Sequence, residues 1–142
     1  MSHYVDILTE IRDQEALVRA LGRLGFQNKV ESHKTSQNLY GYHGDLRKQK
    51  AHVIIRRKYV GTSSNDIGYE KTTDGRFKAH ISEFESATGV YAGGAGKYGS
   101  EWQNKLNTYY GVERAKMAYE KRNIKYTEDV DEKECPRLRA FV

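Results

Sequence analysis

Asp13 and Gly25 bracket the segment that most limits what this chain can fold into. Between them Ala16, Leu17, Ala20, Leu21 and Leu24 recur at the spacing of one helix face. The Asp13 carboxylate can accept the free amide hydrogens of a first turn. Gly25 can take the left-handed backbone that closes a helix, with Phe26 packing back onto the last turn. On either side the period changes to two. Tyr4 to Ile11 sets Val5, Ile7, Thr9 and Ile11 against Tyr4, Asp6, Leu8 and Glu10, and Gln27 to Ser32 reads as a second, weaker strand. The opening is therefore strand, helix, strand.

Residues 33–51 are polar, tyrosine-containing and punctuated by glycine, and predict a mobile loop. His52 to Arg57 is β-rich and reads as a strand, and Gly61 to Asn65 is a turn cluster. Ile67–Thr72 and Phe77–Ser82 flank Thr73-Asp74-Gly75-Arg76, an Asp-Gly hairpin signal. Five glycines between Gly89 and Gly99 predict a surface loop. Ser100, with Gln103 as partner in a capping box, opens a long helix striped with Trp102, Leu106, Tyr109, Tyr110, Val112 and Met117. Gly111 weakens that helix, and Asn123 ends it. Ile124–Val130 and Pro136–Val142 form a closing hairpin around Asp131-Glu132-Lys133-Glu134, with Leu138, Ala140 and Val142 facing inward. This order predicts one α+β domain over 1–142, with two helices on one face of a largely antiparallel sheet. The expected topology is a ferredoxin-like core with an added terminal β-hairpin.

Composition enters through its distribution. Six of the 24 Lys and Arg residues, and none of the 19 Asp and Glu, lie between Leu46 and Asn65. A net charge of +5 is thus a +6 window on a body of −1. Arg47, Lys48, Lys50, Arg56, Arg57 and Lys58 form that window, with Tyr40, Tyr42 and Tyr59 close in sequence. Cations interleaved with tyrosines suit an acidic protein surface, because Tyr and Arg are enriched at protein interfaces. The same set suits single-stranded nucleic acid, whose phosphates meet cations while bases stack on rings.

Gly94-Ala95-Gly96-Lys97-Tyr98-Gly99 matches G-x-G-x-x-G before a helix, which makes Gly94, Gly96, Lys97 and Gly99 candidates for phosphate binding. The loop does not leave a strand directly, and Tyr98 stands where a P-loop needs Ser or Thr. A nucleotide role is accordingly the third reading. His33, His43, His52 and His80 are scattered, and Cys135 has no second cysteine, so no metal site is expected. Glu132 and Glu134 disfavour a Cys135 thiolate, and Glu83 and Glu85 read as solvated carboxylates. No catalytic set and no cofactor are expected. The lone cysteine fits a reducing compartment, Met1-Ser2-His3-Tyr4 lacks a leader's features, and no apolar run approaches the ~20 residues of a membrane span. A cytoplasmic location follows as the expectation.

Taken together, Met1-Ser2-His3, Ile11 with Ala16-Leu17, Leu24-Gly25-Phe26, Gly41-Tyr42, Asp66-Ile67-Gly68-Tyr69, Asp74-Gly75, Tyr109-Tyr110 and the closing hairpin give the chain a family likeness. It resembles the plastid open-reading-frame-35 family, a domain of unknown function found in cyanobacteria, algal plastids, other bacteria and cyanophages. It departs from that family at Gly89–Gly99 and in the segment before His52. The resemblance implies no enzyme activity, catalytic residue or cofactor. It does imply an intracellular accessory role in phototrophic or phage-infected cells.

The sequence thus predicts a non-enzymatic adaptor that docks an acidic protein partner through its basic window. Single-stranded RNA or DNA is the alternative partner. Self-association, with the basic window meeting the acidic closing turn of a second copy, stays open.

Overall fold

A computed structural model describes residues 3–61, 63–86 and 97–141. Most of the glycine segment, Gly94 and Gly96 included, lies outside these, as does Val142. Within these residues seven strands and four α-helices follow in chain order: β1 (Tyr4–Leu8), α1 (Gln14–Leu21), β2 (Val30–Tyr40), β3 (Leu46–Ile55), α2 (Arg57–Val60), β4 (Ile67–Lys71), β5 (Phe77–Ser82), α3 (Glu83–Ser86), α4 (Ser100–Lys121), β6 (Lys125–Val130) and β7 (Pro136–Phe141).

The α+β class, the antiparallel sheet and the terminal hairpin are as the sequence predicts. The five-stranded sheet has the order β1-β5-β4-β3-β2, and β6-β7 form a separate ribbon. Every neighbouring pair in the five-stranded sheet is antiparallel. β2 to β5 run as a meander and β1 closes against β5, because the segment expected to be a loop supplies strands of its own.

That segment is the main departure. Residues 33–51 are the greater part of the β2–β3 hairpin, not a mobile loop. Along β3 the exposed side chains Leu46, Lys48 and Lys50 alternate with the sheltered Arg47, Gln49 and Ala51. Period two is present, but Arg47 and Gln49 fill inward positions normally held by aliphatic residues. The turn is closed by the Gly41 N–H donating to the Asp45 carbonyl at 2.8 Å and by Gly44 at φ +77°.

Asp13 caps α1 as expected, accepting the Ala16 N–H at 2.9 Å. Gly25 closes the following turn at φ +103°. β3 ends at Ile55, so Arg57 sits in the short α2 and not on a strand. The Ser100 capping box does not form: the cap position falls to Gly99, which makes no side-chain bond. Gln103 reaches instead to the Tyr69 hydroxyl at 3.5 Å. Asn123 takes φ +57° just past α4, as its place in the sequence suggests.

α1 and α4 pack on one face of the sheet. There Leu17, Leu21 and Leu106 meet Val53, Ile55, Tyr69, Phe77 and Ile81, all fully buried. On the opposite face Leu39, Ala51 and Ile54 form a second cluster with Tyr4 against it. This cluster exists because the far half of the β2–β3 hairpin turns across the sheet. Arg47 lies over the Tyr4 ring, 5.8 Å from its centroid, although Tyr4 belongs to the opposite edge strand. Gly68 makes the crossing fit. A β-carbon built on it would stand 2.6 Å from Ala51 Cβ and 2.9 Å from the Leu39 methyls. Gly68→Ala should cost about 1–3 kcal/mol by overpacking. A urea melt checks this, and a loss below 0.5 kcal/mol on the order-of-magnitude scale for surface changes would contradict the crossing.

Candidate functional site

The basic window divides into two groups. Arg47, Arg56 and Arg57 are turned to internal acceptors, whereas Lys48, Lys50 and Lys58 are exposed and form no ion pair among the described residues.

The Arg56 side chain and the Arg57 backbone both meet Asp66, a fully buried carboxylate. Its Oδ2 accepts the Tyr40 N–H at 2.8 Å and Arg56 Nη1 at 2.9 Å, and its Oδ1 accepts the Arg57 N–H at 2.6 Å. Its carbonyl accepts the Tyr4 hydroxyl at 2.6 Å, and its own N–H donates to the Tyr40 carbonyl at 2.9 Å. Arg56 also forks onto Glu31, with Nε 2.7 Å from Oε2 and Nη2 2.9 Å from Oε1. That bidentate pair holds the Glu31 carboxyl below its ordinary value, helped by His33 at 2.8 Å. Burial, with the charge of Asp66 added, pushes the Tyr4 hydroxyl well above its ordinary range. Arg57 Nη2 holds the Tyr42 carbonyl at 2.6 Å, and the Tyr42 N–H donates to Asn65 Oδ1 at 2.8 Å. Arg47 pairs with Asp45 at 2.6 Å. These groups fix the hairpin over the sheet.

What they present is the hairpin's outer side. Tyr40 and Leu46 face one another across the ladder, as do Asn38 and Lys50, and Lys48 lies between them along β3. Leu46 is 64% exposed and Tyr40 41%, and both stand among lysines. The Arg56 guanidinium lies 5.8 Å from the Tyr40 ring centroid and so braces the ring from the protein side. Tyr59, 38% exposed, has Lys58 Nζ at 5.0 Å and Lys29 Nζ at 5.8 Å from its centroid. Tyr42 instead stacks on His43 at 4.0 Å. Leu46 was absent from the sequence-based site. The alternation from Leu46 to Ala51 was the signal that could have placed it there.

Other constellations are internal. His80 is only 3% exposed and spends both ring nitrogens, Nδ1 at 2.7 Å from Asp6 and Nε2 at 2.9 Å from Glu70. Through them it bridges β1, β5 and β4. No group of three or more His, Cys, Asp or Glu among the described residues is arranged to hold a metal ion. Glu85 is buried against the Ser64 hydroxyl at 2.6 Å, not solvated. Cys135 is exposed in the β6–β7 turn. Of the glycine motif, Lys97 is exposed beside the Tyr98 ring and Gly99 is buried at the start of α4, while Gly94 and Gly96 fall outside the described residues.

Sequence reasoning also missed an ion cluster that joins the turn after α1 to α4 and β6. Glu113 is buried on α4, with Arg23 at 3.0 Å and Lys116 at 3.4 Å. Glu128 on β6 receives the Arg23 fork and Lys116 at 2.7 Å.

No protein-family model, curated protein or solved structure matches the chain. No helix among the described residues is long and apolar enough to cross a membrane.

The Arg23 fork lowers the Glu128 carboxyl from 4.5 to about 2. A carboxyl lowered by folding stabilises the native state above its unfolded value and loses that contribution as pH falls through the folded one. Unfolding free energy should therefore drop between about pH 5 and pH 2. Glu128→Gln should be less stable at pH 7 and show a shallower drop, as followed by denaturant melts across that range. A variant with the wild-type slope would contradict the pairing.

Proposed function

We propose that this protein is a small non-enzymatic accessory protein, an adaptor, that docks an acidic protein surface through the outer side of its β2–β3 hairpin. The observation that carries the reading is Leu46 and Tyr40, solvent-exposed and opposite each other, flanked by Lys48 and Lys50, which have no carboxylate partner among the described residues. Protein interfaces combine such an apolar and aromatic centre with a charged rim. The lysines supply long-range attraction to an acidic partner and set orientation. An aliphatic anchor has no corresponding use on a phosphate backbone, which is met by charge and ring stacking. The likeness to the plastid open-reading-frame-35 family, with its implied intracellular setting, belongs to the same reading.

A second reading is single-stranded nucleic-acid binding, favoured by Tyr59 with Lys58 and Lys29 close to its ring. Arg47, Arg56 and Arg57 serve either reading indirectly, by holding the surface in shape.

The test separates the two. Binding partners are captured with the wild type, with Leu46→Ala and with Lys48→Glu/Lys50→Glu. On the adaptor reading a partner with an acidic surface is retained by the wild type, falls about tenfold with Leu46→Ala, and is lost with the charge reversal. Identical capture by all three proteins would refute it. Steeply salt-dependent binding of an RNA oligonucleotide, insensitive to Leu46→Ala, would establish the second reading instead.

A further inference from the structure

An open groove of about 710 Å³ lies between the end of α1, the start of β2, α4 and β6. That volume is in the range of small-molecule sites. Val18, Phe26 and Val30 supply an apolar lining, and Arg19, Arg23, Lys116, Glu113 and Glu128 supply charge. Three cations meet two carboxylates in the lining, and Glu120 pairs with Arg19 from beside it.

Their bonding is uneven. Arg23 and Lys116 are taken up by Glu113 and Glu128. Arg19 uses only Nη1, at 3.2 Å from Glu120 and 4.0 Å from Glu113. Its Nε and Nη2 meet no acceptor among the described residues. The open edge of a guanidinium is the edge that receives a carboxylate through two parallel bonds. Glu120 bonds Arg19 from outside the groove, and the two carboxylates within it oppose a second negative charge on a ligand.

We infer that this groove binds an amphipathic monocarboxylate, its head on the free edge of Arg19 and its apolar body along Val18, Phe26 and Val30. A dianionic phosphate fits less well, because Glu113 and Glu128 would repel its second charge. A neutral apolar molecule leaves Arg19 unused. The site is separate from the hairpin's outer side and does not depend on what docks there.

The probe is sodium octanoate, titrated into isotope-labelled full-length protein while backbone amide resonances are followed. The expected result is saturable shifts at Val18, Gly22, Phe26 and Val30 with a dissociation constant on the order of 1 mM. Octanol, with the same chain and no charge, should bind about tenfold more weakly. Arg19→Gln should lose a similar factor. Arg19→Lys, which keeps the charge and removes the fork, should fall between, and it provides the comparison should Arg19→Gln not fold. Absence of saturation up to about 10 mM, equal binding of octanol, undiminished binding by the Arg19 variants, or shifts confined to other surfaces would each overturn the assignment.

Discussion

Asp66 is the point on which the second face of this molecule depends. A carboxylate buried out of water is costly unless donors surround it, and removing its partners costs more than the pair contributes when intact. Here the donors come from three places: the end of β2, the junction of β3 with α2, and the Arg56 guanidinium. The backbone of Asp66 adds the Tyr4 hydroxyl from β1 and the pairing with Tyr40. One residue at the entry to β4 thus ties together the hairpin, the short helix after it and the far edge strand. Given those ties, the hairpin has to cross the sheet, and Gly68 beneath Leu39 and Ala51 is the space it crosses through.

The consequences for function follow from which cation does what. A planar guanidinium bonds several acceptors at once in fixed geometry, whereas an ammonium on a flexible stem stays hydrated. The chain uses them accordingly: Arg47, Arg56 and Arg57 face inward on acceptors, and Lys48, Lys50 and Lys58 face water. With α1 and α4 over one side of the sheet and the hairpin over the other, the outer side of the hairpin combines exposed lysines with an exposed aliphatic and an exposed ring. His80, the side chain most reminiscent of catalytic chemistry, is occupied at both nitrogens by the strands on either side of it.

Much of the fold was legible where local chemistry is decisive. The aspartate cap of α1, the left-handed Gly25, the Asp74-Gly75 turn and Asn123 after α4 each answer a backbone requirement that few residue types meet. The hairpin was not legible, because its inward positions carry Arg47 and Gln49 and its stabilisation comes from a carboxylate 19 residues beyond Arg47. Ser100 failed as a cap for a similar reason: the capping pattern was present, yet Gln103 found Tyr69 on the sheet. The basic window was legible as charge and illegible as geometry, since no sequence pattern distinguishes a buried, bonded arginine from a solvated one. The Glu113 cluster was hidden within a helix whose aromatic stripe draws attention to the other residues.

The central claim is that Asp66 and its neighbours hold the β2–β3 hairpin as a fixed arm across the sheet. Amide hydrogen exchange at Tyr40 and Tyr42 measures it directly, because their N–H groups donate to the side chains of Asp66 and Asn65 and not to a partner strand. The account predicts protection comparable to that of Ile54 and Tyr69 in the sheet beneath. Exchange at the rate of an open loop, with Ile54 and Tyr69 still protected, would contradict it.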